Sequence, residues 1–356
     1  MKKKKLAVIG SGPASLMALS MLKGEFEVYL FEKPSRNNIL GKRILVSGNG
    51  RANFFNEDLL VKKGAQEMLS YLRLNLHFAY SKEGKLYYPY FNRSECLHSV
   101  LIERISENKN IHVLFSEVLS LFPQKNLLFY LKDGRKESLV YDICIFAPGG
   151  RSYDRDDFSY RLLDSLGVSY KAFEPLLCPV RVKEQIPSYL DKNRLRCTLS
   201  LCCDKTTIYK EKGEVLFKKD GISGICVFNS TLYLRKNFKK DKDYFYVLDY
   251  SQGNLGKEDV DSTPFFLKRY LKEKNILFPS PLSFTFLDFY PFSASQVSYG
   301  GILASERNED LSLVKHRNIF ALGEVMNNNY ICGGYNMGNA MLEGFLCGKE
   351  LIQNGR

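Results

Sequence analysis

One stretch near the start of the chain constrains its fold more than any other. Leu6–Ile9 is an apolar run, Gly10-Ser11-Gly12-Pro13-Ala14-Ser15 is a glycine turn opening a helical run, and Glu27–Phe31 is a second strand that ends on Glu32. Strand, glycine turn, helix and strand, closed by an acid about twenty residues on, is the dinucleotide-binding fingerprint. Gly10 lets the chain leave the strand sharply. Gly12 removes a side chain where a pyrophosphate must lie against backbone NH groups and the positive end of the helix that Pro13 and Ala14 begin. Glu32, with Lys33 beside it, is the candidate partner of an adenosine ribose. The third glycine of the pattern is Ser15, which sets one small polar side chain between helix and strand. A bare GxGxx run also describes a tight structural turn; the flanking strands and Glu32 favour a nucleotide.

The same residues have a rival reading. Lys2 to Lys5 before an apolar run resembles the start of a signal peptide, but Gly10, Gly12 and Pro13 interrupt that run. Nine cysteines, an odd number placed mostly in apolar strands such as Ile143-Cys144-Ile145, fit a reducing compartment, so a cytoplasmic location is expected. No apolar run approaches the ~20 residues that span a bilayer. His77, His98 and His112 lie far apart with no ligand-spaced partners, so no metal site is expected. With 356 residues the chain has room for more than one domain.

Three further blocks carry chemistry. Gly41-Lys42-Arg43 leads to Ser47-Gly48-Asn49-Gly50-Arg51-Ala52-Asn53, read as a loop whose NH groups and cations could hold phosphates or carbonyl oxygens; as a plain turn it would be ordinary. Ile111–Leu121 reads as one strand, with Val118 where a returning strand could touch an adenine. The strand Tyr141–Phe146 runs into Ala147-Pro148-Gly149-Gly150, at the sheet edge where doubly wound folds bind ligands. Near the end, Asn318–Leu322 leads to Gly323-Glu324, a carboxylate suited to ribityl hydroxyls. Cys332-Gly333-Gly334-Tyr335-Asn336 then opens a helix whose positive end suits an anionic reduced flavin.

Between about Glu174 and Pro291 helical periodicity fades and strands are expected at Leu195–Cys203, Thr206–Lys210, Gly213–Lys218 and Tyr244–Tyr250. Cys197, Leu199, Leu201 and Cys203 are expected to share one core face. From Lys171 to Tyr246 there are 16 Lys or Arg against 9 Asp or Glu, a net +7 of the chain's +12. Lys205, Lys210, Lys212, Lys218, Lys219, Arg235, Lys236, Lys239, Lys240 and Lys242, interleaved with Tyr209, Phe217, Tyr233 and Phe238, would give RNA phosphate contacts and stacking platforms. Lysines that merely protect strand edges would read the same way.

In order along the chain, Gly10-x-Gly12, Ser47–Asn53, Ala147-Pro148-Gly149-Gly150-Arg151-Ser152-Tyr153, and Gly323-Glu324 with Gly333–Asn336 resemble the BaiN/RdsA-like flavoproteins, also called the YhiN family. Gly213–Phe217 with Gly221–Gly224, and Val297–Ile302, resemble that family's inserted domain and return strand, so the likeness runs nearly end to end. It implies an α/β fold: a Rossmann-like, glutathione-reductase-like FAD-binding domain in two parts (1–172 and 292–356), interrupted by a β-barrel-like insertion (173–291). A helical module following the barrel in that family is shortened here to about Glu258–Pro281. The resemblance also implies FAD as lasting cofactor and NADH or NADPH as transient electron donor. Activities in the family include reduction of a uridine in large-subunit ribosomal RNA to dihydrouridine, reduction of conjugated double bonds in bile-acid intermediates, and aminoacetone oxidation. A ribosomal RNA substrate, a small-molecule substrate, and a flavin-binding protein with little catalysis are the three readings it leaves open.

The chain departs from the family in places. Ala52 stands where the family loop has cysteine, Pro148 where it has threonine, Met326–Ile331 where it has an acidic turn, and Cys332 where a threonine precedes the glycines. By resemblance Cys332 lies beside the flavin, as a candidate proton donor or as a residue that merely packs; Tyr335 is the second candidate. Nothing in the sequence sets the oligomeric state.

Overall fold

The computed structural model describes residues 3–152, 158–251 and 263–354. Lys2, Tyr153 and positions 258–262 of the expected helical module lie outside the described residues.

The chain divides into two compact units, one built from Met1–Gly150, Asp156–Phe173 and Tyr299–Arg356, the other chiefly from Glu174–Ser298. In the first, five parallel strands lie in the spatial order Ile319–Ala321, Ile143–Phe146, Lys4–Ile9, Phe26–Glu32, Ile111–Phe115. Leu6, Ala7 and Val8, fully buried, form the central strand, as a parallel sheet covered on both faces requires. Because every strand runs the same way, Gly10, Glu32, Ala147 and Leu322 all emerge at one carboxyl edge.

Helix Pro13–Met21 packs on the C-terminal helix Tyr335–Asn354 at unusually short range. A Cβ at Gly344 would lie 2.1 Å from the Ala14 carbonyl oxygen, and one at Gly348 would lie 3.1 Å from that of Ala18. The two glycines, four apart, make a groove into which the first helix sets its small residues.

The second unit contains a closed antiparallel barrel, ordered Val180–Val182, Gly221–Ser223, Thr206–Lys218, Arg194–Cys203, Tyr244–Asp249, Leu282–Phe289. Leu199, Leu201, Val215, Phe217, Tyr246, Leu248 and Phe284 fill it and are fully buried. The expected arrangement, a Rossmann-like sheet with a separate barrel and helical elements, is what the structure has.

Local expectations needed correcting in five places. Lys42–Val46 is a short helix rather than loop, followed by a tight 3-10 turn at Ser47–Gly50. Ile111–Leu121 is two strands, Ile111–Phe115 and Glu117–Phe122 in different sheets, because the Ser116 NH turns back onto the Leu114 carbonyl at 2.9 Å. Thr206–Lys210 and Gly213–Lys218 are one strand: Glu211 and Lys212 continue the ladder opposite Leu199 and Thr198. A bulge between Leu201 and Cys202 shifts the register, so Cys202 is buried and Cys203 half-buried. Ile225–Asn237, in the stretch read as strands, is a helix. Its apolar stripe is broken by buried Ser230 and Thr231, whose hydroxyls donate to the carbonyls of Val227 and Phe228, both at 2.6 Å.

Filling the interhelix groove should loosen the first unit. Gly344→Val forces backbone apart at Ala14 and is expected to cost about 1–3 kcal/mol or more, measured as a lower midpoint in urea unfolding.

Candidate functional site

Four chain segments meet at the carboxyl edge of the parallel sheet. The Gly10 NH donates to the Phe31 carbonyl at 2.8 Å, the Ala147 NH to Ile9 at 3.0 Å and the Leu322 NH to Phe146 at 3.1 Å, so the loops begin in fixed register. Gly10 has φ of +88°, and a Cβ there would lie 2.3 Å from the Ala147 oxygen, so the fold itself demands glycine. Gly12 differs. Its φ of −71° and ψ of 177° suit any residue, and no protein atom beyond its two chain neighbours lies within 4 Å of the position of a Cβ. No packing contact requires glycine at that place, the N-cap of a helix. Open space also lies beside Gly50 and Gly149.

The Ser11 NH donates to Glu32 Oε2 at 2.7 Å, which fixes the acid against the glycine turn, and the Gly41 NH donates to Ser11 Oγ at 3.1 Å. Lys33 is half-buried beside Glu32, while Lys42, Arg43 and Arg51 are exposed. Ser15 is fully buried, as its place between helix and strand requires, and its hydroxyl lacks a hydrogen-bond partner. Gly323 sits against Ala14, 3.5 Å from a built Cβ to that methyl, which brings the Gly323-Glu324 turn to the fingerprint.

The remaining residues gather around the start of the C-terminal helix. Gly334 lies against the backbone of Phe55, at 2.7 Å from a built Cβ, and Asn56 Nδ2 donates to the Gly333 carbonyl at 2.9 Å. The chain from Ser47 to Asn53 thus leads straight into the segment that holds Gly333 and Gly334. Within it, the Ala52 NH donates to Ser47 at 3.2 Å, and Ala52 itself, with φ of +49°, is fully buried in the core. Asn336 donates to the Tyr330 and Ile331 carbonyls, and Cys332 is a half-buried thiol between them and the glycines. Val118 is buried in a separate three-stranded sheet, opposite Tyr130, whose ring lies tilted against Phe31 with centroids 4.9 Å apart.

Tyr335 has a partner that sequence spacing does not reveal. Its hydroxyl donates to Asp58 Oδ2 at 2.6 Å, and Lys85 Nζ donates to Asp58 Oδ1 at 2.8 Å. Burial first, and then the Asp58 carboxylate, push the Tyr335 phenol up to about 12, so it keeps its proton. The Lys85 hydrogen bond, and then that of Tyr335, hold Asp58 below the usual carboxylate range. A raised phenol value favours the folded state below the ordinary tyrosine range of about 10, and that contribution is lost as pH rises through the folded value.

The basic set of the second unit is smaller than its sequence suggests. Phe217 is fully buried in the barrel and is no stacking platform. Arg235 turns inward, with Nη1 2.9 Å from Glu174 and its guanidinium 3.5 Å over the Phe289 ring, because its helix packs against the barrel. Lys242 pairs with Asp204 at 2.7 Å, Lys218 lies 5.1 Å over Tyr290, and Tyr209 packs 4.5 Å from Tyr233. Lys205, Lys210, Lys212, Lys219, Lys236, Lys239 and Lys240 remain exposed. Among the described residues there is no metal-ligating cluster and no helix long and apolar enough to cross a membrane.

Replacing Asp58 by Asn should lower the Tyr335 titration from about 12 towards the ordinary range while burial keeps it above that range. Ultraviolet difference titration of variant against wild type, at the tyrosinate band, reads the shift.

No family model matches the chain. The 3-dehydro-bile acid delta(4,6)-reductase of Clostridium scindens is 24% identical to it, over an alignment covering 98% of this chain and 99% of that one. The chain is a distant homologue of that reductase. The open conformation of a flavocytochrome c3 fumarate reductase superposes with TM-score 0.52 at 13% identity, over 99% of this chain and 79% of the other. E. coli quinol fumarate reductase FrdA does so with TM-score 0.50 at 11% identity, over 100% and 71%. These structural likenesses show a shared fold.

Proposed function

We propose that the chain is an FAD-dependent, NAD(P)H-linked oxidoreductase whose reaction reduces an activated carbon–carbon double bond. The observation that carries this reading is Gly12: a helix-start glycine in an unstrained conformation with empty space where its side chain would be. A pyrophosphate lying against the backbone gives that glycine a reason. The near full-length alignment with a delta(4,6)-reductase supports a double bond as the acceptor.

FAD, when bound, supplies the hydride-transfer chemistry. The protein holds and orients it. The NH groups of Gly12 and Ala14, on either side of Pro13, which has none, take the pyrophosphate. Glu32, already anchored through one oxygen by the Ser11 NH, offers the other to the adenosine ribose. Lys33 and Val118 belong to the adenosine end, with Ala147, Pro148, Gly149 and Gly150 lining the edge of the sheet. Lys42 and the Ser47–Asn53 turn, with Asn49, Gly50, Arg51 and Asn53, hold phosphate or carbonyl oxygens, and Glu324 holds the ribityl hydroxyls. Gly333, Gly334 and Asn336 present the positive end of the C-terminal helix to the flavin ring. Cys332 is the residue that holds a proton for the substrate. Tyr335, bonded to Asp58, sets the position of the turn.

Gly12→Val is expected to leave the apoprotein folded with a cooperative unfolding transition, at a cost of about 1 kcal/mol for the poorer helix N-cap, because the added Cβ meets no packing neighbour. It should abolish flavin retention, seen as colourless purified protein. Retained flavin would remove the reading at its base.

A second reading, reduction of a uridine in ribosomal RNA, is favoured by the exposed lysines Lys205, Lys210, Lys212, Lys219, Lys236, Lys239 and Lys240. Anaerobic NADH or NADPH should bleach the bound flavin, and reoxidation by an enone should restore it. Dihydrouridine mapping of ribosomal RNA from a deletion strain separates the substrates: loss of one site supports RNA, and an unchanged map leaves the small molecule. Failure of both nucleotides to bleach the flavin would favour a binding protein.

A further inference from the structure

The turn that carries Glu324 is held by an ion pair outside the flavin-binding set. Arg307 Nη2 lies 2.8 Å from Glu343 Oε1, with the side chains only 14% and 16% exposed. The other Glu343 oxygen, Oε2, accepts the Gly323 NH at 2.7 Å, and Arg307 Nη1 donates to the Ala321 carbonyl at 3.0 Å. Two charged side chains from distant parts of the chain therefore close on the backbone groups either side of Leu322. A buried pair is often no more stabilising than apolar residues of the same volume, so stability alone is a weak reason for it. Its geometry offers a better one. Glu343 is next to Gly344, the residue pressed under the Ala14 carbonyl, and Gly323 itself rests on Ala14. The pair thus ties the end of the strand Ile319–Ala321 to the same helix contact that locates the fingerprint turn.

We propose that Arg307 and Glu343 are positioning residues for the flavin site, clamping the Ala321 carbonyl and the Gly323 NH so that the turn presents Glu324 to the ribityl chain. This rests on the FAD reading above. With the Gly323 NH committed to Glu343, the turn faces the ligand with its side chain and not with that amide. Preorganisation of this kind is felt as affinity, since the free turn otherwise has to be ordered on binding.

The test uses FAD affinity of the full-length apoprotein by flavin fluorescence, the flavin midpoint potential, and hydrogen exchange of peptides covering residues 319–326. Arg307→Leu with Glu343→Leu removes both charges together and avoids leaving one buried alone. That double variant is expected to keep a cooperative unfolding transition. Its turn amides should exchange about tenfold faster, its FAD affinity fall about tenfold, and its potential move from wild type. Wild-type affinity and potential in the double variant would overturn the proposal and leave the pair a structural device. If the double variant does not fold, Arg307→Lys, which keeps the charge but loses the forked contact, decides: unchanged turn exchange and unchanged FAD affinity overturn the proposal, and a change in both supports it. Wild-type protein that binds no FAD would be seen first; it would remove the functional reading, and this inference with it.

Discussion

The approach of the first helix to the last is the contact on which the first unit depends. Gly344 lets Tyr335–Asn354 descend onto the carbonyl of Ala14 closer than any side chain would allow, and Gly348 eases the contact with Ala18. That descent fixes the height of the C-terminal helix over the sheet, and hence where Gly333, Gly334 and Tyr335 arrive. It also seats Gly323 on Ala14. Backbone-to-backbone packing of this kind offers no rotamers to adjust, so errors in it are passed directly to the loops.

Around this contact the loops are held by polar groups with few alternatives. Asn56 takes the Gly333 carbonyl, Asp58 takes Tyr335, and Ser11 is bonded both to Glu32 and to the NH of Gly41. Each bond joins segments far apart in the chain. The sheet sets the direction of the loops, and these bonds set their positions. A site built in this way is rigid because its parts are cross-tied as well as bonded within the loops.

The parallel sheet was legible because it speaks in short-range patterns: an apolar run, a glycine pair, an acid after the second strand. The barrel was legible as alternation at Arg194–Cys203, and less so where charge interrupts it, as at Glu211 and Lys212, which the neighbouring strand keeps in the ladder. Helix Ile225–Asn237 was hidden by buried hydroxyls that bond within their own turn and so look like surface. The glycines of the candidate site could be read in sequence, yet their meanings could not be told apart. Gly10 is required by the Ala147 carbonyl, whereas Gly12 answers to no protein atom, and only coordinates separate the two. Asp58 and Glu343 left no local signal, because their partners Tyr335 and Gly323 are supplied by the fold.

The sheet order carries a consequence for how the molecule comes to exist. Its central strand, Lys4–Ile9, is made long before the edge strand Ile319–Ala321 and the helix that presses on Ala14. A growing chain therefore holds a glycine turn and Glu32 long before it holds Gly323, Glu324 or the polar clamp around them. During synthesis the glycine turn and Glu32 can assemble early, while the rest of the carboxyl edge waits for the later segments to emerge. Contacts this distant in sequence form slowly, and the late closing of Tyr335–Asn354 onto the first helix is the step that completes the loops at the carboxyl edge of the sheet.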